Sequence, residues 1–217
     1  MCNAPDARLR PNWEGVALFG QALACRRGTR LLFEGLHFTI DTGEALVVTG
    51  PNGAGKSSLL RIVAGLITAT SGRVQLAGLD PDTRPAEQMH YLGHEDALKG
   101  ALSVAENLTF WRTVLGTPGL AVAEALDEVG LGGLGRLPAA VLSAGQRRRL
   151  AIARLLVSRR PVWLLDEPTT ALDASAQARF AALGRAHLET GGLILAATHA
   201  PLDFGAKARE LRLGATA

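Results

Sequence analysis

Gly50-Pro51-Asn52-Gly53-Ala54-Gly55-Lys56-Ser57-Ser58 decides the fold of this chain. The stretch fits G-x-x-x-x-G-K-[ST], the pattern of a phosphate-cradling loop (P-loop). Its surroundings agree. Ala45 to Val48 is an apolar run that reads as a buried strand, and Ser58 to Ala64 reads as a helix opening directly after the loop. The residue types follow from the chemistry of a triphosphate, which packs several negative charges into a small volume. Glycines let successive backbone N–H groups curl around it, and the helix N-terminus adds partial positive charge. Lys56 would then reach the β- and γ-phosphates and the Ser57 hydroxyl would ligate Mg²⁺. The bland alternative is a glycine-rich turn that binds nothing, and the strand–loop–helix setting argues against it.

Working outward, alternation continues on both sides. Upstream, Leu18 to Ala24 and Leu36 to Ile40 read as strands joined by a turn at Arg26 to Arg30, and residues 1–17 read as a loose tail. Downstream, Arg73 to Gly78 and Met89 to Gly93 read as strands, the second ending at His94. Between Glu95 and Leu142 strand signals vanish. Ser103 to Leu115 and Leu120 to Val129 carry helical periodicity, with Glu106, Asn107 and Arg112 on the polar side of the first. This is expected to be a helical insertion in an α/β domain spanning residues 18–217. A helix from Ala144 to Ser158, a strand from Val162 to Leu165, a helix from Ala174 to Glu189, a strand from Leu193 to Thr198 and a last strand near Leu211 complete a mostly parallel sheet flanked by helices.

The totals bound the function. The chain has 217 residues, enough for one sizeable core. Hydrophobic residues make up 47 % and charged ones 20 %, the balance of a globular protein. No apolar run approaches the ~18 residues of a membrane span, and no secretory signal opens the sequence. Cys2 and Cys25 are too few for a disulfide framework and point to a cytosolic compartment. A net charge of +3 is too small to argue for nucleic acid, and none is expected as a partner.

Two further stretches carry chemistry. Pro161 to Pro168 is an apolar strand ending in Asp166 and Glu167. Beside a phosphate loop, one carboxylate can hold Mg²⁺ and the next can orient or deprotonate an attacking water; Asp166 takes the metal and Glu167 the water. Leu142-Ser143-Ala144-Gly145-Gln146 opens a helix, with Ser143 as a good N-cap and Gly145 permitting close approach, and so offers a second anion-facing helix terminus.

That stretch resembles the LSGGQ signature of ATP-binding cassette (ABC) ATPases, with Ala144 in place of a glycine. The spacing from Gln146 to Asp166 and from Glu167 to His199 agrees with the family, and Thr169 to Asp173 looks like its D-loop. The resemblance covers residues ~19 to 213 and implies a P-loop NTPase fold with ATP and Mg²⁺ as cofactors. It implies a head-to-tail homodimer in which Ser143, Ala144, Gly145 and Gln146 act in trans on the partner's nucleotide. It carries Gly50 to Ser58 to nucleotide binding, Ser57 and Asp166 to the metal, Glu167 to the general base, His199 to the γ-phosphate and Asp173 to the D-loop. His94 stands where most such ATPases carry a glutamine, and around Arg26 to Arg30 there is no aromatic to stack on adenine; arginine stacking could substitute there.

Tyr91-Leu92-Gly93-His94, then Glu106-Asn107-Leu108, then Leu-Ser-Ala-Gly-Gln with Arg147 to Arg149, look like the ATPase subunits of cytochrome c maturation haem exporters. That likeness implies separate multi-span membrane subunits and a peripheral place at the cytoplasmic face of a bacterial inner membrane. The alternatives are an exporter ATPase for another cargo (lipid, peptide or drug) and a soluble cassette ATPase acting on DNA or ribosomes. Other features have plain readings. His90 and His94 are expected to be surface and loop histidines, Arg147 to Arg149 partly solvated and partly paired with carboxylates, and both cysteines inert. Phe110 and Trp111 read as core, or else as a groove for a membrane partner's helix.

Overall fold

The computed structural model describes residues 13–80 and 82–214. Strands β1 (Ala17–Arg27), β2 (Arg30–Ile40) and β4 (Ser71–Ala77) pair antiparallel in the order β2-β1-β4. Strands β3 (Ala45–Thr49), β5 (Met89–Leu92), β6 (Val162–Asp166), β7 (Leu193–Ala197) and β8 (Ala208–Arg212) form a parallel sheet in the order β5-β6-β7-β3-β8. Strands β6 and β7 lie inside it and are buried along their whole length, which is why they read as unbroken apolar runs.

Side-chain alternation splits the molecule into two cores. Val162 and Leu164 point to one face, with Leu59 and Leu60 of helix α1 (Lys56–Val63) and with Leu18 and Ile40 of the antiparallel sheet. Trp163 and Leu165 point to the other, with helices α2 (Val104–Leu115), α3 (Val122–Glu128), α4 (Ala144–Val157) and α5 (Ala174–Glu189). Both α2 and α3 pack on α4, so the insertion rests on the helix that opens with the signature stretch.

Several expectations need correction. Helix α1 begins at Lys56, not Ser58, because Gly55 is its N-cap; this places Lys56 and Ser57 in the first turn. The first hairpin turns at Gly28 and Thr29, which leaves Arg26, Arg27 and Arg30 on strands. Residues 1–12, and Cys2 with them, lie outside the described residues, and the rest of the expected tail is packed: Val16 is buried, Trp13 meets His187 edge-on at 5.3 Å, and the Thr42 hydroxyl donates to the Val16 carbonyl at 2.9 Å.

Asn107 is not on a polar face. It is 1 % exposed, its Oδ1 accepts from the Lys99 amide at 2.8 Å, and its Nδ2 reaches the Lys99, Leu102 and Ser103 carbonyls, so it ties down the chain entering α2. His90 is buried and its Nε2 donates to the Ser158 carbonyl at 2.9 Å; burial pushes its pKa down to about 3. Phe110 is not core either. It is exposed beneath Lys99, and Trp111 is half-buried against the Arg154 guanidinium 4.7 Å from its ring centre.

Candidate nucleotide-hydrolysing site

The carboxyl ends of the neighbouring strands β6, β7 and β3 converge on one place, as the ligand sites of parallel sheets do. The loop after β3 is set by glycine geometry. Gly50 has φ 131°, and a Cβ there would collide with the Leu213 carbonyl; Gly55 has φ 103° and starts α1 with no side-chain cap and no acidic residue in the first turn. The first N–H groups of α1 are therefore left for an anion.

Lys56 is 8 % exposed and projects from that first turn. Its ammonium donates to the Gly50 carbonyl at 2.8 Å and the Pro51 carbonyl at 3.2 Å, and lies 2.9 Å from His199 Nε2. Lysine has donors only, so Nε2 is the acceptor and the ring proton sits on Nδ1. Ser57 Oγ donates to Asp166 Oδ1 at 2.9 Å. Asp166 is buried at the end of β6. The next residue, Glu167, adopts φ +48°, a conformation non-glycine residues rarely take. Its N–H donates to the Ala197 carbonyl at 2.8 Å, and its Oε1 lies 3.7 Å from His199 Nε2. His199 follows β7, where Thr198 fixes the turn by accepting from the Ala200 amide at 2.9 Å.

A cleft of about 540 Å³ lies above the loop, lined by Asn52, Gly53, Gly55, Lys56, Ser57, Ser58, Glu167 and His199, with Arg27, Arg30 and Leu32 from the first hairpin. The fold thus brings together the loop, Asp166 through Ser57, Glu167 and His199. None of Ser143, Ala144, Gly145, Gln146, His94 or Asp173 lines it. Ser143 and Gln146 form a reciprocal capping box at α4: Ser143 Oγ accepts from the Gln146 amide at 3.2 Å and Gln146 Oε1 from the Ser143 amide at 2.8 Å. Gly145 is required within its own chain, since a Cβ would sit 2.8 Å from the Ala171 carbonyl. Asp173 caps α5 by accepting from the Ala176 amide at 2.8 Å, and that bond, with the Ser175 hydroxyl, holds its carboxyl below the usual range.

Three neighbours of the site were missed in the sequence. His94 is exposed; the group from that strand that reaches Asp166 is the Tyr91 hydroxyl, donating to Oδ2 at 3.4 Å. It also accepts from Arg61 Nε at 3.4 Å. Arg148, from the basic run read as partly solvated, is 3 % exposed and is spent mostly on backbone carbonyls. An apolar strand pattern offers no sign that its tyrosine faces a carboxylate, and a run of three arginines gives no sign of which one is buried.

Residues 33–170 match the family model described as ABC transporter. The chain belongs to the ABC transporter family. It is 58 % identical over 202 residues to the cytochrome c biogenesis ATP-binding export protein CcmA of Nitrobacter winogradskyi, covering 93 % of this chain and 100 % of that protein. It is 56 % identical over 202 residues to CcmA of Bradyrhizobium diazoefficiens, at 93 % and 100 % coverage. Among solved structures, the chain superposes with a TM-score of 0.77 and 24 % identity on a dimeric ATP-binding cassette in a post-hydrolysis state bound to ADP and Pi, covering 91 % of this chain and 96 % of that one. The fold is that of an ABC-type P-loop NTPase, and ATP hydrolysis coupled to transport is the activity that goes with the family.

Proposed function

We propose that this chain is the ATP-hydrolysing motor of a cytochrome c maturation exporter, peripheral to the cytoplasmic face of a bacterial inner membrane and driving separate membrane subunits there. The observation that carries this reading is the meeting of Lys56, Ser57, Glu167 and His199 on one cleft, in a chain that is 58 % identical to a CcmA relative and covers 100 % of it. No helix among the described residues is long and apolar enough to cross a membrane, and the proposed route of the transported molecule runs through the separate membrane subunits.

Within the cleft, Gly50 to Ser58 hold the phosphates. The Lys56 ammonium exchanges carbonyl acceptors for β- and γ-phosphate oxygens. Ser57 and Asp166 place a hydroxyl and a carboxylate one hydrogen bond apart beside that cradle, a hard-oxygen donor pair that fits Mg²⁺. Bound there, Mg²⁺ would neutralise phosphate charge. Glu167 takes the proton from the attacking water as its oxygen bonds to the γ-phosphorus, and ADP departs with the pair from the broken P–O bond. His199, Arg27 and Arg30 line the cleft; His199 would touch the γ-phosphate, and the two arginines would offer guanidinium planes to the base. The signature stretch completes the site from a second copy, since its own chain keeps it out of the cleft.

The test is replacement of Lys56 by Ala in the host. The mutant strain is expected to lose c-type cytochromes while the protein is still made and still bound to its membrane partner. Normal c-type cytochromes in that strain would sink the assignment.

A further inference from the structure

Arg148 is the most heavily bonded side chain near the site, and no step above uses it. All five of its N–H donors are engaged. Nε donates to the Pro168 carbonyl at 3.0 Å, and Nη2 to the Asp166 and Glu167 carbonyls at 3.0 and 2.8 Å. Nη1 donates to the Gly93 carbonyl at 2.8 Å and to Asp96 Oδ1 at 3.1 Å. Three consecutive carbonyls therefore converge on one guanidinium, and the middle one belongs to the residue at φ +48°. Such a backbone persists only where its surroundings over-determine it. Here the Ala197 carbonyl holds the Glu167 N–H from one side, and Arg148 holds its C=O from the other.

The opposite end of the fork reaches Gly93 and Asp96, where the chain leaves β5 for the helical insertion. Arg148 itself sits one turn inside α4, behind the signature stretch. One buried cation thus links three parts: the strand end that carries the general base, the entry to the insertion, and the helix that presents the signature.

We infer that Arg148 is a positioning residue for Glu167, fixing the left-handed backbone on which the base stands and tying it to the Gly93–Asp96 segment. The inference rests on Glu167 being the base. Only a planar fork serves all five acceptors; a lysine keeps the charge but has three donors on one atom.

The experiment compares Arg148→Lys, Glu167→Gln and the double variant in the assembled transporter, reading kcat, KM for ATP and the affinity for a fluorescent ATP analogue. Arg148→Lys is expected to lower kcat by about 10–100-fold, the range for supporting-residue changes, with nucleotide affinity unchanged. In the Glu167→Gln background it should lower kcat no further, because its effect passes through the residue already removed. Wild-type kcat in a folded Arg148→Lys protein overturns the inference, as does a loss that multiplies with Glu167→Gln. If Glu167→Gln alone turns over normally, the base assignment has failed instead. Should Arg148→Lys not fold, Asp96→Asn decides: it removes only the ion pair, so lower kcat at unchanged affinity supports the link and wild-type kcat overturns it.

Discussion

The proposed function assigns phosphate to two helix N-termini of this molecule, and they are built in opposite ways. Helix α1 starts on a bare glycine, with no side-chain cap and with Lys56 and Ser57 in its first turn. Helix α4 starts on Ser143, and a reciprocal box with Gln146 already satisfies part of its donor set. The first is an open cradle that needs an anion to satisfy it. The second is already capped by its own side chains, and within its own chain it stands outside the cleft. A terminus that has to meet its phosphate across a subunit boundary gains from being held in shape beforehand, because less order is lost at the encounter.

The largest break in this contrast comes from Ser143→Asp. Aspartate caps a helix as well as serine does, so folding stability should be unchanged. Its negative charge would face the partner's triphosphate, and ATP-dependent dimers should disappear in a sedimentation experiment. A dimer that survives Ser143→Asp would show that α4 does not meet a phosphate.

Acid sharpens the contrast from the far ends of the helices. His90 holds the Ser158 carbonyl at the C-cap of α4, and His187 on α5 reaches the Pro161 carbonyl at 3.1 Å while stacking on Trp163 at 4.1 Å. Burial pushes both from 6.5 down to about 3. The unfolded chain therefore binds more protons than the folded one between those values. Stability from this source is whole above pH 6.5 and falls, by about 1.4 kcal/mol per pH unit for each histidine, as pH drops through that window. Denaturant midpoints measured from pH 7 to 4 should show the decline, and His90→Gln should remove one histidine's share of the slope. An unchanged slope would mean that His90 titrates as an exposed residue.

The smallest effect belongs to Ser143→Ala, which removes the cap and should cost about 1 kcal/mol in a thermal or denaturant melt. The matching position on α1 has no side chain to lose.

Legibility follows the same divide. The cradle could be read because its groups are consecutive: Gly50 to Ser58 lie in one run, and Asp166 and Glu167 end one apolar strand. The boundary of α1 was displaced because Lys56 looked like loop chemistry and is also helix. What stayed hidden was the support. Arg148 meets Gly93 across 55 residues, and Tyr91 meets Asp166 across 75. The buried states of His90 and Asn107 depend on carbonyls that only the folded chain brings near. Single-sequence periodicity reports which face of an element is apolar, and it is silent about a polar group buried against distant backbone.

The most direct measurement is the oligomeric state of Glu167→Gln with saturating Mg-ATP, followed by sedimentation. With the proposed base removed and the two helix termini intact, the protein should keep bound ATP and run as a dimer, returning to monomer when ATP is washed out. A chain that holds ATP and remains monomeric at every concentration would contradict the account that the site is completed by a second copy.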